Sequence, residues 1–300
     1  VAEPSIQESA LPRASAIFAL IRDLRHAWVD RALGEALPTA DGYARRRIVT
    51  ILLDRASGPG CEALVRHFHH LESDLRGRVE QQLGELDAAL RSVARDREPQ
   101  SKLNVIDLIQ RSHCHRLAYL LSAQLHAREG RVVRGAATGL LALAAALRRR
   151  GAGSAEPGGA ARRRFELFLP AVAEACACFH QHRRRDVLLA AACLAPRRDQ
   201  RLLDQLLERR SPAHGAFGEL LRQAGDREVR RSLLFFAVFP ELQPSVRRAL
   251  GNAAIGPRLD DVLAMSHLTA VPEVRSVVRH IHQPQHLVPD PAQASRMTAP

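Results

Sequence analysis

The sequence predicts an all-α fold of short antiparallel helices, and three observations carry that expectation. Apolar residues step along single helix faces, prolines recur at helix-length intervals, and strand-like alternation closed by Asn-Gly turns is absent. Between Arg131 and Leu147 the apolar positions Val133, Ala137, Leu140, Ala144 and Leu147 advance in steps of four and three, which is one side of a helix. Val271, Val274, Val278 and Ile281 repeat the pattern, with Pro272 in a first turn, where its missing N–H costs nothing. Pro196, Pro212, Pro240, Pro244, Pro257, Pro272 and Pro284 fall mostly 12 to 16 residues apart, and the wider interval after Pro212 is divided near Gly225. Proline is poorly tolerated in a helix interior, so this spacing sets helices of three to four turns with short connections.

On these rules helices are expected over 14–36, 41–56, 60–71, 74–95, 100–111, 115–126 and 130–149. A Pro/Gly-rich insertion, Gly151–Gly159, then precedes helices over 161–180, 184–194, 197–209, 213–224, 226–239, 243–254, 258–267 and 271–282. That is about 14–15 helices in one domain spanning 1–282, with a flexible insertion near 150–160. The tail Gln283–Pro300 has four prolines and little apolar content, so it is expected to remain disordered.

Composition narrows the class. Of 300 residues 46% are hydrophobic but only 4% aromatic, so the core must be built from Leu, Ala and Val, which suit closely packed helices. The formal charge of +12 would ordinarily point to nucleic acid or another anionic partner. Lys102 is the only lysine against 43 arginines, a bias that fits GC-rich coding better than selection for phosphate contacts. Cys61, Cys114, Cys176, Cys178 and Cys193 are odd in number and lack the spacing of a disulfide framework, which fits a reducing compartment. Residues Val1–Pro12 have no signal-peptide pattern, and the longest uncharged apolar run, Gly135–Leu147, is shorter than the roughly 18 to 20 residues that cross a bilayer. The expectation is a soluble, cytoplasmic chain.

Four expected helices carry a Val-Arg pair near their start: Val133-Arg134, Val229-Arg230, Val246-Arg247 and Val274-Arg275. The fullest case is Leu117–Leu141, an apolar helix, a polar turn, then Val-Arg-x-x-Ala-x-x-Leu; Asp226-Arg227-Glu228-Val229-Arg230 is a second copy with its acid at the turn. This pattern resembles the HEAT repeat of the armadillo/HEAT-like α-solenoids. The resemblance implies a superhelix of stacked antiparallel helix pairs, a concave face that binds protein, and arginines at these four positions that support stacking between repeats. The pairs at 229 and 246 are 17 residues apart and those at 246 and 274 are 28 apart, so the repeat is irregular. Residues 14–95 match in helical periodicity alone.

Residues able to do chemistry are sparse. In Cys176-x-Cys178-x-His180-x-His182 the pairs Cys176/His180 and Cys178/His182 each share a helix face, but the two faces are about 200° apart, so one helix cannot wrap all four about one ion. His67, His69 and His70, like His113, Cys114 and His115, read as polar helix ends, and Pro284 breaks the helix that would align His282 with His286. No histidine precedes a glutamate, unlike the di-iron HEAT-repeat hydroxylases, and Trp28, Tyr43 and Tyr119 carry no local motif of the helical-repeat DNA glycosylases. No phosphate loop, nucleophile elbow or zinc-protease motif is present. Neither a cofactor nor a metal is expected.

The residues chosen as a binding site are the clusters Arg148, Arg149, Arg150 and Arg162, Arg163, Arg164, which bracket the insertion, with Arg183, Arg184 and Arg185 one helix further on. If they converge they form an anion or partner patch; otherwise they are a solvated rim. The function expected is a non-catalytic scaffold or adaptor for a protein partner. The alternative is a basic helical-repeat nucleic-acid-binding protein, of which a DNA glycosylase-like repair protein would be one kind; a metal-dependent enzyme is the least supported.

Overall fold

The computed structural model of the chain describes residues 6–24, 26–153, 158–194 and Ala216. Regular structure among the described residues is helical throughout: twelve α-helices and two short 3-10 turns, without a strand. The helices expected between 197 and 282, the tail 283–300 and the Val-Arg pairs at 229, 246 and 274 lie outside the described residues. The chain divides into two compact units, one running to Cys114 with Glu129–Gly135 added, the other comprising His115–Arg128 and the residues from Ala136 onward.

The first unit contains α1 (Ile6–Asp23), α2 (Ala27–Ala36), α3 (Gly42–Arg55), α4 (Gly58–Arg66), α5 (Ser73–Gln81), α6 (Asp87–Val93) and α7 (Pro99–Arg111). Each start has a local cause. Asp41 accepts the Ala44 N–H at 2.7 Å to begin α3, Ser57 accepts the Gly60 N–H at 3.2 Å to begin α4, and Pro59 and Pro99 occupy first turns. Packing joins alternate helices: α2 lies on α4 and α4 on α6, while α3 meets α2, α4 and α5, and α7 closes on α4 and α6. Leu52, Leu64, Leu75, Leu90 and Ile109 are fully buried at these contacts, around Phe68. On α7, Lys102 reaches Glu129 at 4.0 Å with 17% of its side chain exposed.

Two long helices expected here are broken. The stretch 14–36 is interrupted between Asp23 and Ala27, where Arg55 donates to the carbonyl oxygens of Ile21, Arg22 and Leu24 and also to the Asp30 carboxylate. Those carbonyls belong to the end of α1, so the guanidinium takes the place of the next helical turn. The second Asp30 oxygen accepts from the Ser57 hydroxyl, tying the start of α4 into the same buried cluster. The stretch 74–95 is broken at 82–86, a series of turns containing Gly84, whose backbone freedom weakens a helix.

The second unit contains a 3-10 turn at His115–Leu117, α8 (Ala118–Gln124), the part of α9 (Gly130–Gly153) from Ala136 on, α10 (Gly158–Ala177), α11 (Phe179–His182) and α12 (Arg185–Leu194). Alternate helices again lie side by side, α10 packing on α8 and on α12. Phe168, Val172, Leu121, Leu140, Val187 and Leu188 fill the core. His115 is buried, its Nε2 3.2 Å from the Leu143 carbonyl and its ring edge-on to Phe168 at 5.5 Å. Pro170 sits on an exposed side inside α10, where a lost helical hydrogen bond is least costly.

Helix occupies much of the expected insertion: α9 continues to Gly153 and α10 begins at Gly158. Ala and Arg are strong helix formers, and they outweigh the scattered glycines that suggested a break. In α9 the stretch Gly130–Leu147 is long and apolar enough to cross a membrane, and 56% of it is buried within the protein, with Val132, Ala136, Leu140, Leu143 and Leu147 in the core. Val133 is buried as its repeat position implies, but Arg134 is exposed and forms no hydrogen bond or ion pair among the described residues. The stacking role assigned to Arg134 therefore has no hydrogen bond or ion pair behind it among the described residues.

Two stability measurements follow from this packing. Arg55→Met leaves Asp30 charged and unpaired in the interior and should cost about 3–5 kcal/mol in urea unfolding, a loss that adding Asp30→Leu partly recovers. A Cβ at Gly34 would stand 2.4 Å from the Ala63 Cβ, so Gly34→Val should cost about 1–3 kcal/mol, and Ala63→Gly should relieve the clash in Gly34→Ala.

Candidate functional site

The close approach of Gly34 to Ala63 lets α2 and α4 touch backbone to backbone, and above that floor the longer side chains part into a groove of about 500 Å³. Arg31 and Glu35 of α2 form one wall; Glu62, Arg66 and His67 from α4 and its end form the other. The two walls differ in constraint. Arg66 donates from Nε to Asp96 at 2.8 Å and from a terminal nitrogen to Glu62 at 3.0 Å, and the Asp96 bond is the main cause that holds its pKa above the usual arginine value. Arg31 and Glu35 are exposed and make no ion pair among the described residues, so they are available to a ligand.

One end of the groove is the turn after α4. His67 caps the helix, and Phe68–His70 forms a 3-10 turn in which the His69 and His70 rings lie 3.9 Å apart. Asn104 of α7, almost fully buried, donates from Nδ2 to the Arg66 carbonyl at 2.6 Å and to His69 Nδ1 at 3.0 Å, while Gln100 donates to its Oδ1 at 3.1 Å. Burial, then the neighbouring His70, pushes the pKa of both His67 and His69 down, so both rings are neutral at pH 7.

The arginines singled out in the sequence fall at a different place. Residues 148–150 lie in the last turns of α9, and Arg162, Arg163 and Arg164 in the first turns of α10. Three consecutive helical positions are 100° apart, so the run Arg162–Arg164 does not present one face. Arg162 is paired with Glu166 at 2.8 Å, Arg163 is exposed, and Arg164 is half-buried. Nor do the last three form one cluster: Arg183 has a left-handed φ of 50° that ends α11, and the Arg184 N–H donates to His182 Nδ1 at 2.9 Å.

The Cys/His run is absorbed by packing. Cys176 is buried and its thiol is pushed up to about 12, whereas Cys178 is half-buried and His180 exposed. His182 donates from Nε2 to the Ala175 carbonyl at 2.8 Å and accepts at Nδ1, which fixes a neutral tautomer; burial depresses its pKa in keeping with this. Among the described residues there is no group of three or more His, Cys, Asp or Glu that could hold a metal ion.

One surface went unnoticed in the sequence. Ile17, Leu20 and Leu24 recur at helical spacing on one side at the end of α1 and are 54%, 68% and 54% exposed, and Trp28 at the start of α2 is 60% exposed. Their spacing was legible, but a core stripe and a docking stripe have the same period. Tyr43 stands edge-on to Phe18 at 6.4 Å with the Arg47 guanidinium 5.4 Å above its ring.

The burial pattern orders thiol reactivity: under native conditions at pH 8, alkylation should modify Cys178 well before Cys176, as peptide mass spectrometry can read. Comparison with protein-family models and with curated proteins returned no match to this chain.

Proposed function

We propose that this chain is a HEAT-like helical-repeat scaffold or adaptor that binds a protein partner within a reducing, cytoplasmic setting. The observation that carries the reading is the row Ile17, Leu20, Leu24 and Trp28, large apolar side chains left more than half exposed where most leucines among the described residues are buried. Large exposed apolar side chains are what partner recognition uses, and Trp is a frequent anchor in such contacts. Side-by-side packing of alternate helices, α2–α4–α6 in one unit and α8–α10–α12 in the other, supports the solenoid reading, since repeat arrays stack in this order. The absence of disulfides at all five cysteines is in keeping with the compartment.

The nucleic-acid alternative draws on the exposed Arg163 and the net charge of +12. One pair of experiments separates the two. Protein retained on the immobilised full chain should be lost with Leu20→Glu/Leu24→Glu, whose helicity is unchanged; identical retention by both would count against partner capture through this face. Binding to a labelled duplex and single strand should be weak and should not depend on Arg148, Arg149 and Arg150. Tight binding that falls steeply with salt and disappears in the triple-alanine variant would favour the nucleic-acid reading instead.

A further inference from the structure

We propose that the His67–His70 turn is a proton-operated latch: protonation of His69 unseats Asn104 and loosens α7 from the end of α4. The geometry rests on one amide whose orientation is fixed. Asn104 Nδ2 lies 2.6 Å from the Arg66 carbonyl, a contact only an N–H donor can make, so its nitrogen and not its oxygen faces His69. Gln100 holds the opposite side by donating to Oδ1. His69 Nδ1 must therefore accept, which it can do only while unprotonated. An imidazolium would point its new N–H at the Asn104 amide hydrogens, and turning the amide over would set oxygen against the Arg66 carbonyl. Asn104 is 2% exposed, so its amide would lose a partner inside the protein, whereas the exposed His69 ring is free to turn toward solvent.

The charges facing the turn bias it the same way. His67 and His70 stand beside His69, the His67 and His70 rings being 6.0 Å apart. From α5, Arg76 donates to the His69 carbonyl at 2.8 Å and lies over the Phe68 ring at 5.7 Å, bringing a permanent cation. Arg66 of α4 adds another, already engaged by Glu62 and Asp96. Against these stands Glu98, just before α7, the one charged neighbour that draws a proton toward His67 and His69. The folded turn holds protons more weakly than an unfolded chain would, so its contribution is complete above the ordinary histidine value of 6.5 and is lost as pH falls below it.

Amide hydrogen exchange on the full chain tests this, with rates corrected for intrinsic pH dependence. From pH 7.5 to 5.5, peptides covering 63–71 and 99–111 should lose protection several-fold while α12, in the other unit, changes less. His69→Gln, which can still accept from Asn104 but cannot be protonated, should remove most of that loss; an equal loss in wild type and variant would overturn the latch. A second measurement needs no variant. Histidine NMR titration of the wild-type chain should show His69 with a bare Nδ1 at pH 7.5 and a pKa below 6.5, and a value at or above 6.5 would overturn it equally.

Discussion

The first unit depends on a single buried ion pair. Arg55 and Asp30, with 7% and 5% of their side chains exposed, are each expensive to bury alone, and the arrangement is stable because nearly every polar atom finds a partner. The guanidinium satisfies carbonyls left open where α1 stops, the carboxylate takes the Ser57 hydroxyl, and that hydroxyl begins α4. The ends of three helices are thereby fixed around one charge pair, and the packing of α2 on α4 follows from where those ends are held. An apolar replacement could fill the same volume, but it would take a donor from each of the carbonyls of Ile21, Arg22 and Leu24.

The same solution recurs at the other end of α4. A helix of nine residues gains little from its own hydrogen bonds, so its termini must be tied to neighbours. Arg66 reaches Asp96, and Asn104 reaches back to the Arg66 carbonyl. Side chains from elsewhere thus finish both ends of α4, which explains how such a short helix can form one floor of the polar groove. In the second unit, Ser122 bonds Glu174 and Thr138 bonds Asp186, linking α8 to α10 and α9 to α12.

How much of this the sequence discloses follows from the range of each interaction. Periodicity and local caps act within one turn, so α3, α7, α9 and α12 were legible near their true bounds, as was the burial of Val133. The breaks at 24–26 and 82–86 were not, because the first is made by Arg55, more than thirty residues away in sequence for the carbonyls it serves. The solenoid pattern drew weight from Val-Arg pairs of which one lies within the described residues, and its arginine makes no hydrogen bond or ion pair there. For the candidate site, runs of arginine were conspicuous in composition, but Arg162–Arg164 is spread around its helix, while the groove arises from Gly34 and Ala63, two small residues that only a fold brings together. His69 and Asn104 are 35 residues apart, so no motif could pair them.

The lone lysine has a consequence for covalent chemistry. Arginine carries the positive charge nearly everywhere in these 300 residues, and a guanidinium neither acetylates on its nitrogen like an amine nor forms the isopeptide bond that attaches ubiquitin. The one side-chain amine, Lys102, is mostly covered and leans on Glu129 beside the start of α9. A surface rich in cation is therefore almost blank to enzymes and reagents that recognise amines, and whatever reaches Lys102 must first displace it from its carboxylate.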